Sequence, residues 1–174
     1  RRRIATLTDT GAVEFAAYER LSDQQAGSVI SRFPRPKALL DAMDLVTIAF
    51  LLDRIRIDIV PPADPRAQIC LAAVYAELSQ RFERGFDVSL SCDPEHVDMT
   101  PPRGAFLLMM LDGMALGCAG LKATDKGYAE IKRMWIAPSA RGMGLTHRLM
   151  AAIEDQARTL GITTLRLDTN SVLH

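Results

Sequence analysis

The chain has 174 residues, with 21 basic and 21 acidic side chains and an apolar content of 48%. This length suits one globular domain, or one domain with a small helical segment beside it. The balanced charge creates no overall field that would attract nucleic acid or an anionic membrane. The longest apolar run, residues 45–52, is too short to span a bilayer. The three cysteines lack CxxC spacing and no secretory signal is visible, so we expect a cytoplasmic protein without a metal site.

The first part of the chain predicts two helices after a short strand. Residues 1–8 alternate apolar and polar side chains, and residues 12–33 carry apolar side chains at helical spacing until Pro34 breaks the pattern. The second helix, at residues 38–52, is apolar on nearly all sides. Such a helix must be covered by something, and only one neighbouring helix is available. We place a domain boundary after residue 54.

The second part predicts helices around a sheet. Residues 56–60 alternate as an edge strand, and Asp64 followed by Pro65 begins a helix that Gly85 ends. The segment 86–103 is irregular and acidic. Three strands are then predicted as an antiparallel meander, at residues 104–111, 114–121 and 128–136. A helix at residues 145–160, closed by Gly161, and a strand at residues 163–168 complete the pattern.

The turn that follows the third meander strand has the features of an anion-binding site. Residues 141–144 read Arg-Gly-Met-Gly, and a helical pattern opens at Leu145. Free N–H groups at a helix start, with about half a positive charge from the helix dipole, favour phosphate or pyrophosphate. A P-loop would need Lys-Ser or Lys-Thr after the glycines, and a dinucleotide fingerprint would need glycine at His147. The alternative is a plain strand–helix turn with two convenient glycines.

This R-G-x-G-x-x turn, after a strand ending Met-Trp-Ile, resembles the coenzyme A loop of the GNAT acetyltransferases, whose usual pattern is R/Q-x-x-G-x-G/A. Arg141 and Gly144 match, whereas Thr146 stands where glycine or alanine is usual and crowds the phosphate side. The resemblance implies an acetyl-CoA-dependent N-acetyltransferase that transfers an acetyl group to a primary amine by direct attack. It also implies a mixed α/β fold, with a mostly antiparallel central sheet flanked by helices and the C-terminal part of the GNAT fold missing.

The resemblance also implies the cofactor site. Amides of the glycine turn would hold the pyrophosphate, and main-chain groups of the preceding strand would pair with the pantetheine. The residues implied are Met134, Trp135, Ile136, Arg141, Gly142, Met143, Gly144, Leu145, Thr146 and Asn170.

Glu130 is the candidate general base, because a carboxylate at this place is common in the family and often acts through water. The alternative is an ion pair of Glu130 with Lys132 on a solvated face. Glu77 and Asp87 are further carboxylates that would attract a cationic acceptor. The family's acid, a tyrosine on a later helix, has no counterpart in this sequence.

The start of the chain, RRRIATLTDTG before two helices, resembles the end of a MarR-type regulator. Residues 1–54 would then be its wing strand and dimerisation helices, and residues 55–174 a truncated GNAT domain. This implies a homodimer through helices 12–52, with DNA binding only in a parent protein that has the complete winged helix. Residues 1–3 are either part of a phosphate-contacting wing or a basic tail. The alternative function is a non-catalytic regulator fragment, whose GNAT-like half only binds acyl-CoA or supports dimerisation.

Overall fold

The computed structural model describes residues 6–82 and 97–168. The chain divides into two compact units, Arg1–Asp44 and Leu45–His174. No helix in the described ranges is both long and apolar enough to cross a membrane.

The first unit consists of helix α1 (Asp9–Ser31) and the beginning of helix α2 (Pro36–Phe50). The Thr8 side chain accepts a hydrogen bond from the Gly11 N–H at 3.1 Å, so Thr8 is the N-cap of α1. The strand predicted for residues 1–8 is therefore wrong for residues 6–8, which form no strand and run into the helix through its N-cap. Residues 1–5 lie outside the described ranges. No residue of α1 is buried.

Five strands form one sheet in the order β1-β2-β3-β4-β5. The first four neighbours pair antiparallel, and β5 pairs parallel with β4. The strands are β1 (Arg56–Val60), β2 (Ala105–Leu111), β3 (Met114–Ala123), β4 (Ala129–Ile136) and β5 (Leu165–Arg166). The predicted mixed α/β fold with a mostly antiparallel sheet is confirmed.

Two helices, α3 (Pro65–Arg81) and α4 (Leu145–Thr159), cover opposite faces of this sheet. Alternate residues of β2 enter two separate cores, as expected for a strand with both faces covered. Leu107 and Met109 pack in the cluster that contains Leu149 of α4, called the α4-side core below. Phe106 and Leu108 pack in the other cluster, with side chains of α3. The continuous apolar run in the sequence is thus explained by burial on both sides.

Several boundaries differ from the prediction. β5 is shorter than the predicted strand at residues 163–168, because it pairs with β4 at two positions only. The unit division falls within α2, ahead of the boundary predicted after residue 54, because Ile48 is fully buried in the α4-side core. The assignment of residues 1–54 and 55–174 as separate domains stays a prediction. The predicted end of α3 at Gly85 lies outside the described residues, and the helix has already ended at Arg81.

Candidate functional site

The sheet opens between β4 and β5. The two strands pair only at Ala129 with Leu165 and at Glu130 with Arg166. Beyond these pairs, residues 131–136 have no strand partner on this edge among the residues that the structure describes. The pairing of β4 with β3 is irregular in the same stretch, where Arg133 has a positive φ of 55°. Such a bulge bends a strand locally, and here it lies in the stretch that borders the opening.

A cavity of about 560 Å³ occupies this opening. Its wall consists of β4, one side of α3, the turn before α4 and the end of β5. The lining residues are Val74, Glu77, Leu78, Arg81, Phe82, Ile131, Lys132, Arg133, Met134, Trp135, Ile136, Arg141, Thr146, Leu167 and Asp168. This volume is within the range of small-molecule and cofactor sites.

Residues 141–146, called the glycine turn below, lead from β4 into α4. Gly142 and Gly144 have φ values of 81° and 74°, a region that favours glycine, and a Cβ on either would meet no atom within 4 Å. The Arg141 N–H donates to the Pro138 carbonyl at 3.4 Å. Within the described part of the chain, the N–H groups of residues 142–146 donate to no backbone carbonyl. The turn therefore offers five consecutive amides at the start of α4, which fits a phosphate group.

Glu77 of α3 accepts hydrogen bonds from three different residues around the cavity. Its carboxylate accepts hydrogen bonds from Trp135 Nε1 at 2.7 Å, from Arg141 at 2.6 Å and from Arg81 at 2.5 Å. Partial burial raises the pKa of Glu77, but the hydrogen bonds from Arg141 and Trp135 outweigh it and lower the pKa below its ordinary value. Glu77 is therefore an ionised anchor between helix, strand and turn.

The structure brings together part of the predicted cofactor site. Side chains or main chain of Met134, Trp135, Ile136, Arg141 and Thr146 line the cavity. Gly142, Met143, Gly144 and Leu145 are not among the lining residues, so their part in the cofactor site stays a prediction. The Leu145 side chain is buried in the α4-side core. The predicted contact of Asn170 lies outside the described residues, as does Asp87.

Glu130 does not line the cavity. Its carboxylate pairs with Lys132 at 3.1 Å, and the two side chains are 20% and 31% exposed. This is the ion pair that the sequence left open as an alternative. The role of Glu130 as a base stays a prediction.

The sequence predicted Glu77 only as a carboxylate that attracts a cationic acceptor. Its contacts with strand β4 and the glycine turn were not predicted. The i,i+4 spacing of Glu77 and Arg81 on one helix face was a visible signal. The contacts with Trp135 and Arg141 had no local signal, since they join residues 58 and 64 positions apart.

Comparison with known proteins agrees with this geometry. Residues 71–172 match the model of the acetyltransferase (GNAT) family, so the chain belongs to that family. Enzymes of the family use acetyl-CoA, the cofactor that the resemblance of the glycine turn implied.

Two curated relatives are similar over part of the chain. The IAA acetyltransferase of Azospirillum brasilense is 39% identical over 72 residues, which cover 41% of this chain and 47% of the relative. The uncharacterized N-acetyltransferase YjgM of Escherichia coli is 25% identical over 63% of this chain and 68% of its own length. The chain thus matches about half the length of the first relative.

Solved structures share the fold. A candidate acyl-CoA N-acyltransferase from Klebsiella pneumoniae is 29% identical, with a TM-score of 0.53 over 69% of this chain and 74% of that chain. An acetyltransferase from Streptococcus agalactiae has a TM-score of 0.57 over 68% of this chain and 74% of that chain, and at 18% identity it supports the fold alone.

Proposed function

We propose that this protein is an acetyl-CoA-dependent N-acetyltransferase that acts on a primary amine. The observation that carries the proposal is the run of five amides, residues 142–146, that donate to no backbone carbonyl in the described chain. They belong to a turn whose ends, Arg141 and Thr146, line the cavity between β4 and β5. Two positive-φ glycines, Gly142 and Gly144, leave open space at their own positions in this turn. Residues 131–136 provide a strand edge along which an extended ligand can hydrogen-bond.

In this proposal, the chain holds the cofactor chiefly through its main chain. The amides of the glycine turn would bind the pyrophosphate, each charge-assisted bond contributing about 1.5–3 kcal/mol. The edge of β4 would pair with the pantetheine. Thr146 lines the cavity, where its hydroxyl is an added donor to phosphate. When bound, acetyl-CoA supplies a thioester that a neutral amine attacks directly.

The proposed base is Glu130, which would remove a proton from the amine through water. Water is needed because Glu130 lies beside Lys132 and outside the cavity wall. The same observation favours a second candidate function, a regulator fragment whose GNAT-like half binds acyl-CoA without catalysis. In that case the chain binds the cofactor, but Glu130 does not act as a base.

Two measurements separate these functions. Calorimetry with acetyl-CoA tests binding, and thiol release over a panel of amines tests transfer. An enzyme binds and releases thiol in the presence of an acceptor, whereas a regulator fragment binds without release. A chain that does not bind acetyl-CoA contradicts both functions and leaves the GNAT-like half with a role in dimerisation alone.

We also infer that residues 1–54 derive from a MarR-type regulator and that their helices, residues 12–52, form a homodimer. DNA contacts would occur only in a parent protein that has the full winged helix. Support comes from α1, on which several large apolar side chains are more than half exposed: Val13, Phe15, Tyr18, Leu21 and Val29. A helix of this kind is stabilised when a partner covers it.

A further inference from the structure

The Glu77 carboxylate joins three elements that border the cavity. Its donors are Trp135 of β4, Arg141 of the glycine turn and Arg81 in the last turn of α3. The Glu77 side chain is only 23% exposed. Hydrogen bonds between charged groups are short and strong in such a setting, so this carboxylate fixes the relative positions of helix, strand and turn.

Arg141 is engaged on two sides. Its Nε donates to the Ile136 carbonyl at 3.0 Å, and a terminal nitrogen donates to Glu77 at 2.6 Å. The first bond ties Arg141 to the last residue of β4, and the second ties it to α3. The guanidinium thus links β4 and α3 at the residue where the glycine turn begins.

We infer that Glu77 is a positioning residue for cofactor binding: by holding Arg141 and Trp135, it orients the glycine turn so that the amides of residues 142–146 face the cavity. This inference rests on the proposed function, because it assigns a task within the same site. Glu77 is then neither a base nor a docking point for a cationic acceptor, since two arginines already balance its charge.

Trp135 provides a readout that does not depend on activity. It is the one tryptophan of the chain, so its indole N–H gives a single side-chain signal in a proton–nitrogen NMR spectrum. In the protein without cofactor, we expect Glu77→Ala to shift this signal and to speed its exchange with solvent, because the acceptor is lost. Glu77→Gln retains an oxygen acceptor and should largely restore the signal.

The same variants are compared for acetyl-CoA binding and turnover. We expect Glu77→Ala to raise the Kd and the KM for acetyl-CoA by about tenfold or more. The kcat at saturating acetyl-CoA should change by less than about twofold, since Glu77 does not contact the reacting groups. Glu77→Gln should bind with intermediate affinity, because it loses the charge that holds Arg141. The matched control is Glu154→Ala, which removes an exposed ion pair with Arg158 on α4 and should alter none of these values.

Wild-type affinity in Glu77→Ala would overturn the inference, and so would tighter binding, which would mean that Glu77 keeps Arg141 away from the phosphate. If Glu77→Ala does not fold, the Kd of folded Glu77→Gln decides, and an unchanged value overturns the inference. A wild-type chain that does not bind acetyl-CoA would defeat the proposed function itself. Wild-type binding that is insensitive to both Glu77 substitutions would defeat this inference alone.

Discussion

Glu130 and Lys132 form an ion pair on β4, with 3.1 Å between the carboxylate oxygen and the ammonium nitrogen. Glu130 is also the last residue of β4 that pairs with β5. Its carboxylate therefore lies at the closed end of the opening between the two strands, whereas the cavity extends along residues 131–136. A base at this position needs water to reach an amine in the cavity.

Glu130→Gln tests the proposed base. We expect kcat/KM for the amine to fall by about 10²-fold or more, because a positioned base contributes at least that much. The Kd for acetyl-CoA should not change. Thiol release and calorimetry measure the two quantities. Glu154→Gln, which also removes the charge of an ion-paired glutamate on the surface, is the control. An unchanged kcat/KM would leave Glu130 as a structural partner of Lys132.

Gly144→Asp tests the glycine turn as the cofactor site. The new side chain would enter open space beside the free amides and place a carboxylate where phosphate is expected. We expect no measurable binding of acetyl-CoA by calorimetry. Gly127→Asp is a close control, because Gly127 also has a positive φ, 77°, and open space around it, in the turn before β4. Both variants carry a similar backbone strain of about 1–2 kcal/mol. Full affinity in Gly144→Asp would show that the turn is not the site.

The contribution of Glu77 to stability should appear in the pH dependence of the free energy of unfolding. The pKa of Glu77 is lower in the folded chain than in the unfolded chain, so its ionised carboxylate stabilises the fold. This stabilisation is fully present above the pKa of the unfolded chain, and it is lost as the pH falls through the pKa of the folded chain. The charged groups that face Glu77 are Arg81 and Arg141. The free energy of unfolding of wild type should therefore exceed that of Glu77→Gln near neutral pH, and the difference should shrink in acid. Urea denaturation at a series of pH values measures it; a difference that grows in acid would contradict the assignment.

Gly117→Ala should destabilise the sheet beside the cavity. A Cβ on Gly117 would lie 2.7 Å from the Trp135 carbonyl oxygen and 2.7 Å from the Ile136 side chain. A backbone oxygen cannot move away cheaply, so we expect a loss of about 1–3 kcal/mol in the free energy of unfolding. Gly27→Ala on α1 is the contrast, since nothing lies within 4 Å there and alanine favours a helix by about 0.5–1 kcal/mol. Unchanged stability of Gly117→Ala would mean that β3 and β4 lie further apart than these distances indicate.

Leu21→Glu tests the proposed homodimer. Leu21 is 58% exposed on α1, and a carboxylate there would not be tolerated in an apolar contact between two copies. We expect sedimentation equilibrium to show a dimer for wild type and a monomer for the variant. Asp23→Lys changes the charge at an exposed position on the far side of α1 from Leu21 and should remain dimeric. A wild-type chain that sediments as a monomer at high concentration would refute the dimer.

Local chemistry accounts for the elements that could be predicted. Asp64 caps α3 through the Arg66 N–H at 2.9 Å, as the Asp-Pro pair indicated. Asp112 and Gly113 take positive φ values at the predicted hairpin. Gly161, also at positive φ, follows the end of α4. Each of these depends on the conformational preferences of one or two residues.

The length of β5 and the division within α2 could not be predicted in this way. The alternation in residues 163–168 shows that this segment suits a strand. How many of its residues pair with β4 depends on where β4 bends away from it. The bend of β4 around Arg133 is a property of the assembled sheet. Ile48 similarly belongs to a core formed by residues far along the chain.

The sequence by itself determined the glycine turn and the doubly covered strand β2, because backbone freedom and apolar content are properties of the residues in place. Only the tertiary structure decided that Glu77 meets Trp135 and Arg141 and that Glu130 lies outside the cavity. The physical reason is that contacts between distant segments depend on strand register and on how α3 lies across the sheet. Those positions result from the packing of the whole core, so no short stretch of sequence predicts them.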